Sequence, residues 1–115
     1  ADIGLRYMLL GREGDTGHIL ENIVYLELIR RGYQVYVGKV GTNEVDFVAI
    51  KNGTKEYYQV SQQIGNSETR ERELRSLDGI DDHNPKFLIT MDRPFAEEYK
   101  GIKIINAFDW LLPQE

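Results

Sequence analysis

The residues of this chain best placed to do chemistry are one carboxylate inside an apolar run, Glu21, and polar positions on two neighbouring strand-like segments, Asp46 with Gln59 and Ser61. In a helix of 3.6 residues per turn Glu21 shares its direction with Val24, Tyr25 and Leu28, which sets a carboxylate on an apolar face. Burying that charge without a partner costs about several kcal/mol, so Glu21 is expected to be hydrogen-bonded, paired, protonated or metal-bound. The plain structural alternative is a buried link to a backbone amide, a lysine or a histidine. Asn52-Gly53 is the strongest short hairpin signal in the chain. A two-residue turn there pairs Lys51 with Thr54 and, counted inward, brings Asp46 opposite Gln59 on one face. Ser61 and Glu44 lie on that face as well. If the helix carrying Glu21 packs over it, Glu21, Asp46 and Gln59 converge. A bulge in the hairpin would move every one of these partners.

The elements that must hold them read as follows. Leu5, Met8, Leu9 and Leu10 suggest a short helix, within a lead-in of residues 1–15 that ends in a loop punctuated by Gly11, Gly14 and Gly17. Those glycines lack the spacing of a Walker A loop or a dinucleotide fingerprint, and no Gly-Lys-Ser/Thr follows. The run from Thr16 to Arg31 predicts the strongest helix, capped by Asp15 or Thr16 and stopped by Gly32. Its apolar residues wrap nearly the whole circumference, so burial on more than one side is expected. Strands are predicted near 33–39, 44–51 and 56–62, from their density of Val, Tyr, Phe and Ile. A charged helix follows from Ser67 to about Leu77, with Glu68/Arg72 and Glu71/Arg75 at i,i+4 spacing and Leu74 and Leu77 to hold it down. Strands at 87–91 and 102–105 and a terminal helical turn at 107–112 complete the order. This α-β-β-β-α-β succession, with a trailing strand and helix, predicts an α/β fold with a mixed sheet flanked by helices.

Composition narrows the function classes. A chain of 115 residues with 41% hydrophobic and 29% charged residues is expected to fold as a single domain, 1–115. A net charge of −5 gives no global electrostatic footprint for nucleic acid, so any such contact must be local. The absence of cysteine removes disulfides, thiol catalysis and thiolate metal sites, and His18 and His83 alone cannot build a structural zinc site. No apolar run approaches the roughly 18–20 residues that cross a bilayer, and the N-terminus does not resemble a secretory signal, so the expectation is a cytoplasmic protein without membrane contact. Because the chain starts at Ala1, it is expected to be a fragment of something longer.

A helical Glu, an Asp on the second strand and a polar-x-polar pair on the third resemble the PD-(D/E)XK nuclease arrangement. More closely, ADIGLR, GHILENIVYLELIRRGYQVYVGK, NEVDFVAI, YYQVSQQ and ETREREL resemble the C-terminal domain, of unknown function, of a large group of bacterial and archaeal AAA-type ATP-binding proteins. The resemblance covers nearly the whole chain. It implies a restriction-endonuclease-like core, an ATPase domain N-terminal to this segment as parent and partner, and no ATPase activity in the segment itself. Carried over by position, Glu21 matches the first-helix acid, Asp46 the metal-binding aspartate, and Gln59 with Ser61 the (D/E)-x-K pair, giving Glu21, Asp46, Gln59 and Ser61 as the candidate catalytic set and Asp46 with Glu21 as candidate metal ligands. Nucleases of this fold use the acids to hold Mg²⁺, which activates a water and stabilises charge on phosphate, while the lysine positions the nucleophile. Here the motif is degenerate: Gln59 is a neutral ligand and Ser61 carries no positive charge. Gln62 and Gln63 cannot replace the lysine, so Lys39 or Lys55 would have to reach in.

Other features have plainer explanations. His18 near a helix start reads as a surface or capping residue. Arg70, Arg72 and Arg75 could face phosphates, but the alternating signs of their helix read as a solvated or contact face. Asn52-Gly53-Thr54 matches a glycosylation sequon that the hairpin turn accounts for, and Trp110 with Phe108, Leu111 and Leu112 reads as a core plug. What the resemblance implies first, with its motif degenerate here, is a non-catalytic or weakly catalytic nuclease-fold accessory module of an AAA-type ATPase that engages DNA or a partner protein. The alternatives are an active Mg²⁺-dependent endonuclease and a pure interaction or oligomerisation domain.

Overall fold

In the computed structural model, residues 16–40, 43–93 and 96–112 are described, the side chains of 16–18, 39–40 and 43 excepted. The helix expected over residues 5–10 lies outside them. The first described helix, α1 (Thr16–Arg30), stops because Gly32 takes φ +95°, a region costly for any residue with a Cβ. The Gly32 and Tyr33 amides donate back to the carbonyls of Ile29 and Leu28, satisfying two of the last-turn acceptors.

Three strands follow: β1 (Gln34–Val40), β2 (Asn43–Lys51) and β3 (Thr54–Ser61). Asn52 and Gly53 have φ of 53° and 80°, the left-handed pair that a tight hairpin needs to match strand twist, and Lys51 pairs with Thr54 as the sequence demands. Next come α2 (Ser67–Asp78), β4 (Lys86–Thr90), β5 (Glu98–Tyr99), β6 (Ile102–Asn106) and α3 (Ala107–Leu111). Asn66 caps α2 by accepting from the amides of Glu68 and Thr69. Neither Glu68/Arg72 nor Glu71/Arg75 closes to an ion pair. Solvated charges at that spacing gain too little to hold two long side chains in one geometry.

The fold is a mixed α/β sheet of six strands in the order β1-β2-β3-β4-β6-β5, flanked by helices. β1, β2 and β3 run antiparallel, β4 joins β3 and β6 joins β4 in parallel, and β5 closes the far edge antiparallel to β6. One face is covered by α1 and α3, where Leu20, Val24 and Leu28 meet Phe47, Ala49, Tyr58, Val60 and Trp110. The other is covered by α2, where Leu74 and Leu77 meet Val45, Tyr57, Leu88 and Ile104. Each fully buried leucine or valine on these faces contributes about 1.5–3 kcal/mol relative to exposure.

Burial of α1 on more than one side does not occur. Leu20, Val24 and Leu28 are fully buried, whereas Leu26 is 62% exposed and Ile29 and Tyr25 face outward as well. A helix laid on one face of a sheet buries one stripe, whatever its outer residues are.

One irregularity decides the site. Tyr36 pairs with Val48 but Gly38 pairs with Val45, so Asp46 and Phe47 together stand against Val37 alone. This is a β-bulge in β2. Its consequence shows in the core: Val45 packs on the α2 side and Phe47, two residues on, packs on the α1 side. Regular alternation would have put both on one face.

Candidate functional site

The bulge presents Asp46 at a cavity of about 560 Å³ whose lining includes Glu21, Glu44, Asp46, Gln59, Arg72 and Glu73. Glu21 comes from α1, Glu73 and Arg72 from α2, and Glu44 and Gln59 from the hairpin. The convergence of Glu21, Asp46 and Gln59 expected from the sequence is therefore present, but by a different route. α1 does not pack over the face that carries Gln59. That face belongs to α2, because Gln59 alternates with Tyr57, which sits in the α2-side core. Glu21 and Gln59 approach from opposite sides of the sheet and meet Asp46 where the bulge opens the β1–β2 ladder.

Within the cluster the polar atoms are committed to one another. The Asp46 backbone N–H donates to Gln59 Oε1 at 3.0 Å, and the Val60 N–H donates to Asp46 Oδ2 at 2.8 Å. Gln59 Nε2 donates to Glu73 Oε2 at 2.8 Å. Gln59 thus uses both ends of its amide, one on β2 and one on α2. A glutamate there could accept from Asp46 but could not donate to Glu73.

Burial pushes the Asp46 carboxyl up to about 6; the Val60 amide opposes this, while the charges of Glu21 and Glu73 and a hydrogen bond to Glu21 add to it. The shift brings the Asp46 carboxyl closer to neutral pH than an ordinary aspartate, a property that functional carboxylates share with structural ones.

The arrangement departs from the magnesium site that the degenerate motif resembles at Gln59, which brings a neutral oxygen, accepting the Asp46 amide, where the motif has an acid. Among the described residues no three His, Asp or Glu side chains are grouped closely enough to hold a metal ion. Asp46 and Glu21, the candidate ligands, lie close enough for their carboxyls to share a hydrogen bond. Ser61 is not part of the cluster: its hydroxyl donates to the Gln63 carbonyl at 3.1 Å and it lines a different cavity, with Asn66, Thr69 and Asp92. Lys55 does not line the Asp46 cavity, and the side chain of Lys39 lies outside the described residues. Among the described residues, Arg72 is the cation that lines it.

Glu73 was missed, although the signal that found Glu21 would have found it. Glu73 precedes the buried Leu77 by four residues, so it too is a carboxylate beside a helix's apolar stripe. Arg70 and Arg75 fall elsewhere, lining a groove with Tyr99 and Lys100. His18 lies in the first turn of α1, and its side chain is among those not described. No described helix is long and apolar enough to cross a membrane.

No family profile matches the chain. It is 41% identical over 112 residues to an uncharacterized protein of Haemophilus influenzae. That alignment takes in 96% of this chain and 27% of the relative, so the chain spans about a quarter of the relative's length.

Proposed function

We propose that this domain is a nuclease-fold accessory module whose metal-dependent chemistry has been replaced by an internally satisfied polar cluster, and that it engages DNA or a protein partner on behalf of a longer, cytoplasmic, AAA-type ATP-binding protein. The observation that carries this is Gln59. It occupies the position of the motif's second acid, and its amide is spent bridging Asp46 on β2 to Glu73 on α2. The residue that would bind metal instead ties the hairpin to a helix. With Ser61 turned to a backbone carbonyl at the lysine position, no side chain of the motif is left to place a nucleophile. The length of the Haemophilus influenzae relative agrees with a module that works inside a larger chain.

Titration calorimetry of Mg²⁺ and Mn²⁺ into the wild type and Asp46→Ala, followed by a nuclease assay in the same buffers, tests this. The expected outcome is no saturable heat near or below millimolar metal and no cleavage. Metal binding that disappears in Asp46→Ala, together with cleavage of duplex or single-stranded DNA, would replace the accessory module with an active endonuclease.

A further inference from the structure

The tip of the β2–β3 hairpin holds two groups that can react with each other. The side-chain carboxamide of Asn52 precedes the backbone nitrogen of Gly53, and the two can close a succinimide ring. Both residues are exposed, and among the described residues neither the Asn52 side chain nor the Gly53 N–H makes a hydrogen bond. A Cβ placed on Gly53 would meet nothing within 4 Å, so no neighbouring side chain shields its nitrogen. The glycine that gives the turn its φ of 80° also leaves the nucleophile bare.

The other asparagines with described side chains lack one or more of these conditions. Asn22 precedes Ile23 inside α1, where the helix ladder holds the amide and the next side chain is β-branched. Asn66 and Asn106 spend their Oδ1 atoms capping α2 and α3. Asn84 precedes Pro85, whose nitrogen carries no hydrogen.

We propose that Asn52 is a site of spontaneous deamidation and isoaspartate formation in the folded chain, and that the isoaspartyl product uncouples the hairpin register. The Gly53 nitrogen loses its proton and attacks the Asn52 carboxamide carbon. The new C–N bond closes the imide, and the side-chain nitrogen leaves as ammonia with that proton. Water then adds to one imide carbonyl and breaks one ring C–N bond, giving aspartate or, through the other carbonyl, isoaspartate. No electrons are exchanged with any other group. Aspartate keeps the turn, because Asp-Gly serves this hairpin as Asn-Gly does. Isoaspartate adds a backbone atom between Lys51 and Thr54, the pair from which the ladder runs inward to Phe47 and Tyr58, beside the Asp46–Gln59 contact. The reaction stands whatever the domain binds.

Incubation of the folded 115-residue chain in mildly alkaline buffer, followed by peptide mass spectrometry, tests it. The mass gain of an amide converted to an acid should appear at Asn52 ahead of every other asparagine, as paired isoaspartyl and aspartyl isomers. Its rate should lie within about tenfold of that in the urea-unfolded chain, since a hairpin tip opens at little cost. Asn52→Gly, which keeps a turn of the same type, should stay folded by circular dichroism and unmodified at this position. The aged wild type should unfold at a lower urea midpoint than Asn52→Asp, which is the aspartyl product made directly. A folded wild type in which Asn52 stays intact, or reacts no faster than the other asparagines, overturns the site. An aged chain rich in isoaspartate whose midpoint equals that of Asn52→Asp overturns its effect on the register.

Discussion

Asp46 is tied to Gln59 and its neighbour through unlike atoms: the Asp46 backbone N–H donates to the Gln59 side chain, while the Asp46 side chain accepts from the N–H of Val60. Two side chains therefore do the work of a backbone ladder where the bulge prevents one. The same atoms that could bind a ligand close the sheet, and function and stability compete for them directly.

Gln59→Glu restores the acid of the nuclease motif and should be harmful. It removes the donor to Glu73 and adds a charge beside Asp46 and Glu73, a loss on the order of 2 kcal/mol at pH 7. Urea unfolding should show a lower midpoint, with the deficit shrinking toward pH 4 as the added carboxyl gains a proton. An unchanged midpoint at pH 7 would remove Gln59 from its bridging role.

Asp46→Asn should do the opposite. The folded-state value of about 6 lies above the ordinary 3.8, so the fold favours the protonated form. That preference contributes fully below about pH 4 and is lost as pH rises through 6, which leaves a charged, strained Asp46 at neutral pH. Asparagine can still accept from Val60 and donate to Glu21, without the charge. The variant is expected to be more stable than wild type by about 1–2 kcal/mol at pH 7.5, after allowing for solvent screening of a partly exposed group, and equal to it near pH 4. A variant less stable at both pH values would mean that the raised value has another origin.

Much of the frame was legible because it rests on local signals. Asn52-Gly53 gave the turn and, counted inward, the facing of Asp46 and Gln59; Gly32 gave the end of α1; Leu74 and Leu77 gave the buried stripe of α2. The bulge was not legible, since Glu44 to Ile50 contains no glycine or proline to mark it and both neighbours of Asp46 are apolar. Without it, Val45 and Phe47 read as one face. The choice of face for α1 was equally hidden, because a helix apolar all round does not reveal which stripe meets the sheet. The pair Glu98–Tyr99 is too short for periodicity to register.

Arg31 fastens the end of α1 to α3. Its guanidinium pairs with Glu27 at 2.7 Å, donates to the Trp110 carbonyl at 2.5 Å and lies 4.4 Å from the centre of the Trp110 ring. Lysine keeps the charge but cannot hold the fork and the stacked plane together. Arg31→Lys should cost about 1–2 kcal/mol and should raise Trp110 side-chain accessibility, read by iodide quenching of the chain's single tryptophan. Equal quenching in both proteins would leave Arg31 as a surface ion pair and no more.

Asp82 secures the loop between α2 and β4, and its pH behaviour should run opposite to that of Asp46. Its carboxylate accepts from the hydroxyl of Tyr57 at 2.5 Å, from the Asn84 amide at 2.9 Å and from Lys86 at 3.3 Å. Burial raises the carboxyl, but the Tyr57, Asn84 and Lys86 contacts outweigh it and hold the group at about 2. A depressed value means that stability is present above about pH 4 and is lost as pH falls through 2. Tyr57 is only 1% exposed, so Asp82→Ala leaves its hydroxyl short of an acceptor and should cost about 1–3 kcal/mol at pH 7. Asp82→Asn separates charge from geometry, because its amide oxygen can still accept from Tyr57. Its deficit against wild type should therefore be smaller, constant from pH 7 to 4, and should fade between pH 4 and 2. Urea midpoints of the three proteins across that range settle the matter, and a deficit for Asp82→Asn that persists unchanged at pH 2 would mean that the carboxylate's charge plays no part.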